Sequence, residues 1–146
     1  MIYDALEVAR YVIYHEEQAG RPVSNLRLQK LLYFIQAKFL IVKHEPCFTE
    51  RMEAWDFGPV VPTVYHQYRY YGGGIIPFQG NSSFSFYPAD QSLIDMMLDD
   101  CSLHSTSDLV EKTHQQDPWK NAYASSQMGL DAEISIKSIY KYFVEE

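Results

Sequence analysis

The chain has 146 residues, 47% apolar and 15% aromatic, with 12 basic against 19 acidic side chains and a net charge of −7. Such a length suits one domain with its own core, spanning residues 1–146, and the apolar content excludes a disordered chain. The acidic balance argues against a nucleic-acid binder, which needs a basic face, and suits a basic protein partner.

Met1-Ile2-Tyr3-Asp4 has neither the basic nor the apolar region of a secretory leader. Cys47 and Cys101, far apart in the chain, fit two free thiols of a cytoplasmic protein better than one disulfide. Asp4 predicts the cap of a first helix. Glu7 stands where a capping box needs it, Tyr3 and Val8 where a hydrophobic staple needs them, and Gly20 closes the helix. Glu16 falls within the apolar arc, and the expectation is that the last turn overhangs and leaves it in water. The alternative is a pair with Lys30 or Lys38.

Ser24 predicts the cap of a second helix that runs to His44-Glu45-Pro46. Leu28, Leu31, Leu32, Ile35, Phe39 and Val42 share an arc roughly 100° wide. Leu26, Tyr33, Phe34, Ala37, Leu40 and Ile41 make the other side apolar too, leaving Gln29, Gln36 and Lys43 as a narrow polar stripe. A helix apolar nearly all round is buried or spans a membrane. Its charged residues leave no run near the ~18 apolar residues of a span, so it is read as the central helix of a soluble domain.

Cys47 to Asp56 reads as irregular chain with a short extended piece at Arg51–Trp55. Gly58-Pro59 is a turn, and Pro62 suits the first turn of a helix that Gly72-Gly73-Gly74 stops after Tyr71. Phe84-Ser85-Phe86 alternates as a strand and could pair with Ile75-Ile76. Asp90 predicts the cap of a helix to about Leu103, and Ser105 the cap of one to Gln116. Asp117-Pro118 opens a short segment containing Trp119, and Met128–Glu133 is a loop. Ser135 caps a final helix stapled by Ile134 and Ile139.

Leu28-Gln29-Lys30-Leu31-Leu32-Tyr33, Ala54-Trp55, Gly58-Pro59-Val60-Val61-Pro62 with Val64-Tyr65, and Thr113-His114 with Pro118-Trp119 together resemble the Panacea, or SocA-like antitoxin, domain. The likeness spans most of the chain in motif order. It implies a non-catalytic antitoxin, of a kind common in prophages, that binds and neutralises a cognate protein toxin. A protease adaptor that hands its toxin to a protease complex is the variant reading. The resemblance picks out Leu28, Lys30, Tyr33, Trp55, His114 and Trp119 without giving them a chemistry.

The residues themselves carry no catalytic signature. The five histidines lack metal-ligand spacing, the triple glycine lacks the Lys-Ser/Thr of a phosphate loop, and no nucleophile elbow occurs, so no metal or other cofactor is expected. An unrecognised hydrolase using His114 and Asp117 and a nucleic-acid regulator with a stripe of Arg21, Arg27, Lys30 and Lys38 are the competing readings. Lys30, among Leu26, Tyr33, Phe34 and Ala37, must snorkel, pair with a carboxylate or lie over an aromatic ring. Its apolar neighbours favour an ion pair over a partner contact. Trp55 and Trp119 read as core, and His114 as a packing histidine. Gly58, Pro59, Val60, Pro62, Tyr65 and Tyr68 are candidate partner contacts, because prolines preset the backbone and tyrosines recur at interfaces. A rigid turn between core helices needs the same residues. The expected fold is α+β but predominantly α-helical, a single compact domain with a buried central helix and a small β-hairpin or extended element.

Overall fold

A computed structural model describes residues 1–145. Helix α1 (Ala5–Gln18) starts where Asp4 accepts the Leu6 N–H at 2.8 Å, and it ends at Gly20, whose φ of +74° suits a residue without Cβ. No capping box closes, because Glu7 turns to the Arg10 guanidinium instead. Helix α2 (Asn25–Lys43) is capped by Ser24, as its sequence predicts, and stops at His44 in a left-handed conformation. It is buried without a break from Leu28 to Ala37 and packs against α1, the hairpin and most later helices. Of its apolar side chains only Leu26, Ile41 and Val42, near its ends, are exposed.

The two glutamines of the polar stripe on α2 are buried as well and hold pieces of non-helical chain, while the half-buried Lys43 reaches a later helix. Gln36 donates to the Phe48 carbonyl at 2.8 Å and accepts from the Cys47 and Phe48 amides. Gln29 accepts the Val61 N–H at 2.9 Å, and its amide nitrogen donates to Asn25. Lys43 binds the buried Asp90 at 2.6 Å. Buried backbone groups need partners, and the connection after α2 finds them on α2.

That connection contains strands β1 (Glu53–Trp55) and β2 (Gly58–Val60), an antiparallel hairpin in which Ala54 faces Pro59. Its outer edges are covered. Ala54 N–H donates to the Ala132 carbonyl and Ile134 N–H to Met52, while β2 lies against α2. Helix α3 (Pro62–Tyr68) opens on Pro62 and tightens into a 3₁₀ turn over Arg69–Tyr71. The predicted pairing of Ile75-Ile76 with Phe84–Phe86 does not form. Ile76 N–H bonds the Val23 carbonyl, and Phe84 and Phe86 pack as rings on Tyr11 of α1.

Helix α4 (Pro88–Cys101) is not capped by Asp90. That residue sits inside the first turn, where Tyr3 and Lys43 bind its two oxygens and hold it, against burial, below the usual carboxylate range. Helices α5 (Thr106–His114) and α7 (Ile136–Tyr140) carry the predicted serine caps, and α7 continues as a π-helical turn over Lys141–Glu145. Helix α6 (Asp117–Gln127) is longer than the short segment expected around Trp119. Both cysteines are free and buried. Among the described residues no helix is long and apolar enough to cross a membrane.

Two charged residues depart from expectation. Glu16 is fully buried, not wet, and its partners are neither Lys30 nor Lys38. Arg21 grips it with two nitrogens, at 3.1 and 2.7 Å, and His15 Nδ1 lies at 2.9 Å. Burial pushes the Glu16 carboxyl up, but these donors outweigh it and hold the group below its ordinary value. The sharp turn at Gly20 folds Arg21 back onto α1, a local reversal that helical periodicity does not contain.

Lys30 neither snorkels nor forms an ion pair among the described residues. It is fully buried, and its Nζ donates to the Pro59 carbonyl at 2.5 Å. Burial alone pushes the ammonium down from 10.5 to about 7. The carbonyl gives Lys30 a hydrogen-bond acceptor without a compensating charge.

Truncating Leu31 or Ile35 to alanine at the centre of α2 is expected to cost about 2–5 kcal/mol in urea melts, the range for emptied aliphatic core sites. A loss below about 1 kcal/mol would contradict the central place of this helix. Lys30 gives a pH test. Between pH 7 and the unfolded value of 10.5 the unfolded chain holds a proton that the folded chain has released, so stability attributable to Lys30 rises with pH. Each pH unit in that window contributes at most about 1.4 kcal/mol. Urea melts at pH 6.5 and 9.5 should therefore show the wild type gaining relative to Lys30→Met. Parallel profiles would mean that Lys30 keeps its charge in the fold.

Candidate functional site

The hairpin is the meeting point of the sequence motifs: Ala54-Trp55 and Gly58–Val60 form it, and the motifs on α2 and at Thr113–Trp119 reach it from outside. Lys30 and Gln29 reach β2 and the residue after it from one side, at the Pro59 carbonyl and the Val61 amide. From the other side His114 Nε2 lies 3.0 Å from the Asp56 carbonyl, and the Trp119 indole N–H donates to the Trp55 carbonyl at 2.8 Å. The carbonyl can only accept, so Nε2 carries the hydrogen. His114, Trp119 and Tyr123 form a ladder of rings with centroids 4.2 and 4.5 Å apart. The Tyr123 hydroxyl completes it on Asp56 Oδ1 at 2.6 Å, a bond that raises the phenol's pKa.

Gly58 is where the two sides touch. Its φ of +108° lies in the region closed to other residues, and a Cβ there would stand 2.8 Å from Thr113 Oγ1 and 3.1 Å from the end of Lys30. Helix α5 can approach α2 across the hairpin because position 58 has no side chain. Tyr33 ties in the next element, donating to Gln116 at 2.8 Å, at the start of α6. Leu28 is plain core.

Beside this junction lies a cleft of about 550 Å³ between the start of α2, the hairpin, α3 and α6. Leu26, Trp55, Phe57, Val60 and Tyr65 give it apolar walls, and Asp56 is its single charged lining residue. Phe57, at the hairpin tip, is 66% exposed. Trp55 meets Tyr65 edge to face at 4.9 Å, and its indole N–H is bound to Glu53, which helps hold that carboxyl below its usual value. The polar groups of the floor are committed: Asn25 donates to the Tyr65 carbonyl and accepts from Gln29, whose oxygen holds Val61.

The predicted contact residues divide. Tyr65 and Val60 line the cleft; Gly58 and Pro59 are buried beneath it; Pro62 is half-buried at the start of α3. Tyr68 faces a different depression, with Arg10, Ile13 and Phe78. Trp55 and Trp119 are both half-buried; Trp55 lines the cleft, while Trp119 packs behind the hairpin between His114 and Tyr123. His114 turns to a backbone carbonyl, not to Asp117, and Lys30 is inside the fold. The basic stripe is not assembled: Arg21 is taken by Glu16 and Asp99, and Arg27 by the Cys101 carbonyl. Sequence reasoning missed Asp56, Phe57 and Tyr123. The turn falls on Asp56-Phe57, not on the expected Gly58-Pro59, which belongs to strand β2; a strand ending at Trp55 two residues before Gly58 is the signal that marks Asp56 and Phe57 as the tip. Tyr123 has no such signal.

Comparison with known proteins agrees with this geometry. The family model "Antitoxin SocA-like, Panacea domain" matches residues 28–120, from the start of the buried run in α2 to just past Trp119. "Antitoxin SocA" of Caulobacter vibrioides is 47% identical over 62 residues, which are 42% of this chain and 33% of that protein. The match thus spans about a third of that relative's length. No solved structure matches the chain. The motifs that enclose the hairpin lie within the matched range, and the chain belongs to the antitoxin SocA-like, Panacea domain family.

Proposed function

We propose that this protein is an antitoxin that binds a cognate protein toxin directly and acts without catalysing a reaction. The observation that carries the reading is the family match over residues 28–120, together with 47% identity to Antitoxin SocA over 62 residues. The geometry supports it through what the motif side chains do. Gln29, Lys30, His114 and Trp119 each commit a polar atom to the backbone of the hairpin or of Val61 just after it, so they build and brace a surface. What that surface presents to solvent is aromatic and aliphatic, the composition of an interface centre. The net charge of −7 would draw a basic partner by long-range attraction.

Co-expression tests this. The reading frame beside the gene, expressed alone, should arrest growth; this chain should restore it, and the two products should copurify at equal stoichiometry. A harmless neighbour, or rescue without a complex, would overturn the reading. Rescue that disappears in cells lacking their cytoplasmic proteases would point instead to the adaptor mode, in which binding delivers the toxin for degradation.

A further inference from the structure

We infer that the cleft between α2, the hairpin, α3 and α6 seats a bulky apolar side chain of a protein partner, with an arginine or lysine beside it set against Asp56. The inference rests on the proposal that the chain binds a protein, and it names the chemistry of the segment bound. Four observations lead to it.

The walls are apolar and stand open. Leu26 of α2 and Phe57 of the hairpin tip are both exposed, while Trp55 and Tyr65 are half-buried and Val60 is buried. An exposed phenylalanine at a hairpin tip costs solubility unless something covers it. Tip and wall are also held rigid. Carbonyls 55 and 56 accept from Trp119 and His114, and Tyr123 fixes the Asp56 carboxylate, so little ordering entropy is lost on binding.

The floor offers few free polar groups. Sites for small polar ligands orient them with a few well-placed donors and acceptors. Here both amide ends of Asn25 and Gln29 already hold backbone or each other, and the Trp55 indole N–H holds Glu53. An occupant gains by burying apolar surface, which favours a side chain of a larger partner over a polar metabolite.

Charge fixes the flank. Among the described residues no lysine, arginine or histidine lines the cleft, so phosphate groups and acidic peptides meet no cation from them. Asp56 is exposed; the Tyr123 hydroxyl takes Oδ1 and no protein donor among the described residues takes Oδ2. A guanidinium fits this position well, since it can bond the carboxylate and stack on the Trp55 or Tyr65 ring. The overall charge of −7 has the same sign as Asp56 and steers the same class of partner.

The test is selection of a phage-displayed random dodecapeptide library on the immobilised full chain, followed by titration of the enriched peptides. Enriched sequences should pair a large aliphatic or aromatic residue with a neighbouring arginine or lysine. Phe57→Ala, at an exposed site that folding does not need, should weaken them about tenfold or more. Asp56→Asn, which still accepts from Tyr123, should weaken them about two- to fivefold at low salt and less at high salt. Acidic or wholly polar consensus peptides, no enrichment, or affinities unchanged in both variants would overturn the inference. The growth assay with the neighbouring gene product runs alongside on the same variants. Failure of the wild type there ends the antitoxin reading, while the peptide result still decides the chemistry of the cleft. Protection undiminished in Phe57→Ala and Asp56→Asn refutes the cleft as the toxin site and leaves the antitoxin reading standing.

Discussion

The fold depends on buried polar side chains of α2 that hydrogen-bond the chain returning over it. A connection packed inside a protein must satisfy its amides and carbonyls, and each left unpaired costs about 1–3 kcal/mol. Helices and wide sheets meet that demand internally. Residues 47–61 form only a hairpin of two three-residue strands, so much of their backbone cannot do so. Gln36 serves Cys47 and Phe48, Lys30 serves Pro59, and Gln29 serves Val61. The hairpin is therefore a layer of the core, and its tip becomes a rigid wall. Lys30 shows how far the demand reaches: an ammonium is buried, with its pKa driven down, to supply one carbonyl with a donor.

This arrangement explains why the motifs are discontinuous in sequence. The helix supplies donors to one side of the hairpin, and the start of α6 with the end of α5 supplies them to the other. Gly58 permits the two sides to close. A change at any of these positions loosens the same object, the wall of the cleft, so buried residues govern its shape.

Much of the fold was legible in the sequence. The serine caps at Ser24, Ser105 and Ser135, the proline at the start of α3 and the glycine stop after Tyr71 are local signals with local causes, and they stand where expected. The unbroken apolar character of α2 identified the centre. What failed was long-range. Glu16 was read as wet because helical periodicity cannot foresee Arg21 turning back over Gly20. Asp90 looked like a cap because the sequence does not show that Tyr3 and Lys43 converge on it from other elements. For Lys30 the sequence suggests snorkelling or a carboxylate partner, because side-chain pattern does not show backbone acceptors, whereas the fold gives it the Pro59 carbonyl. Of the site, Tyr65 and Val60 could be read beforehand, but the sequence places the turn at Gly58-Pro59, where the structure has strand β2. The cleft could not, since its far wall at Tyr123 belongs to a helix whose length was underestimated.

Amide hydrogen exchange on the wild-type chain bears most directly on the claim that α2 holds the hairpin as part of the core. Val61, Cys47 and Phe48 donate to side chains, not to a ladder, so ordinary strand cooperativity does not protect them. Their exchange should match that of Leu31 and Ile35 in the middle of α2, requiring global unfolding. Exchange as fast as that of Gly73 in the open turn would show that the hairpin opens on its own and that the α2 side chains do not anchor it.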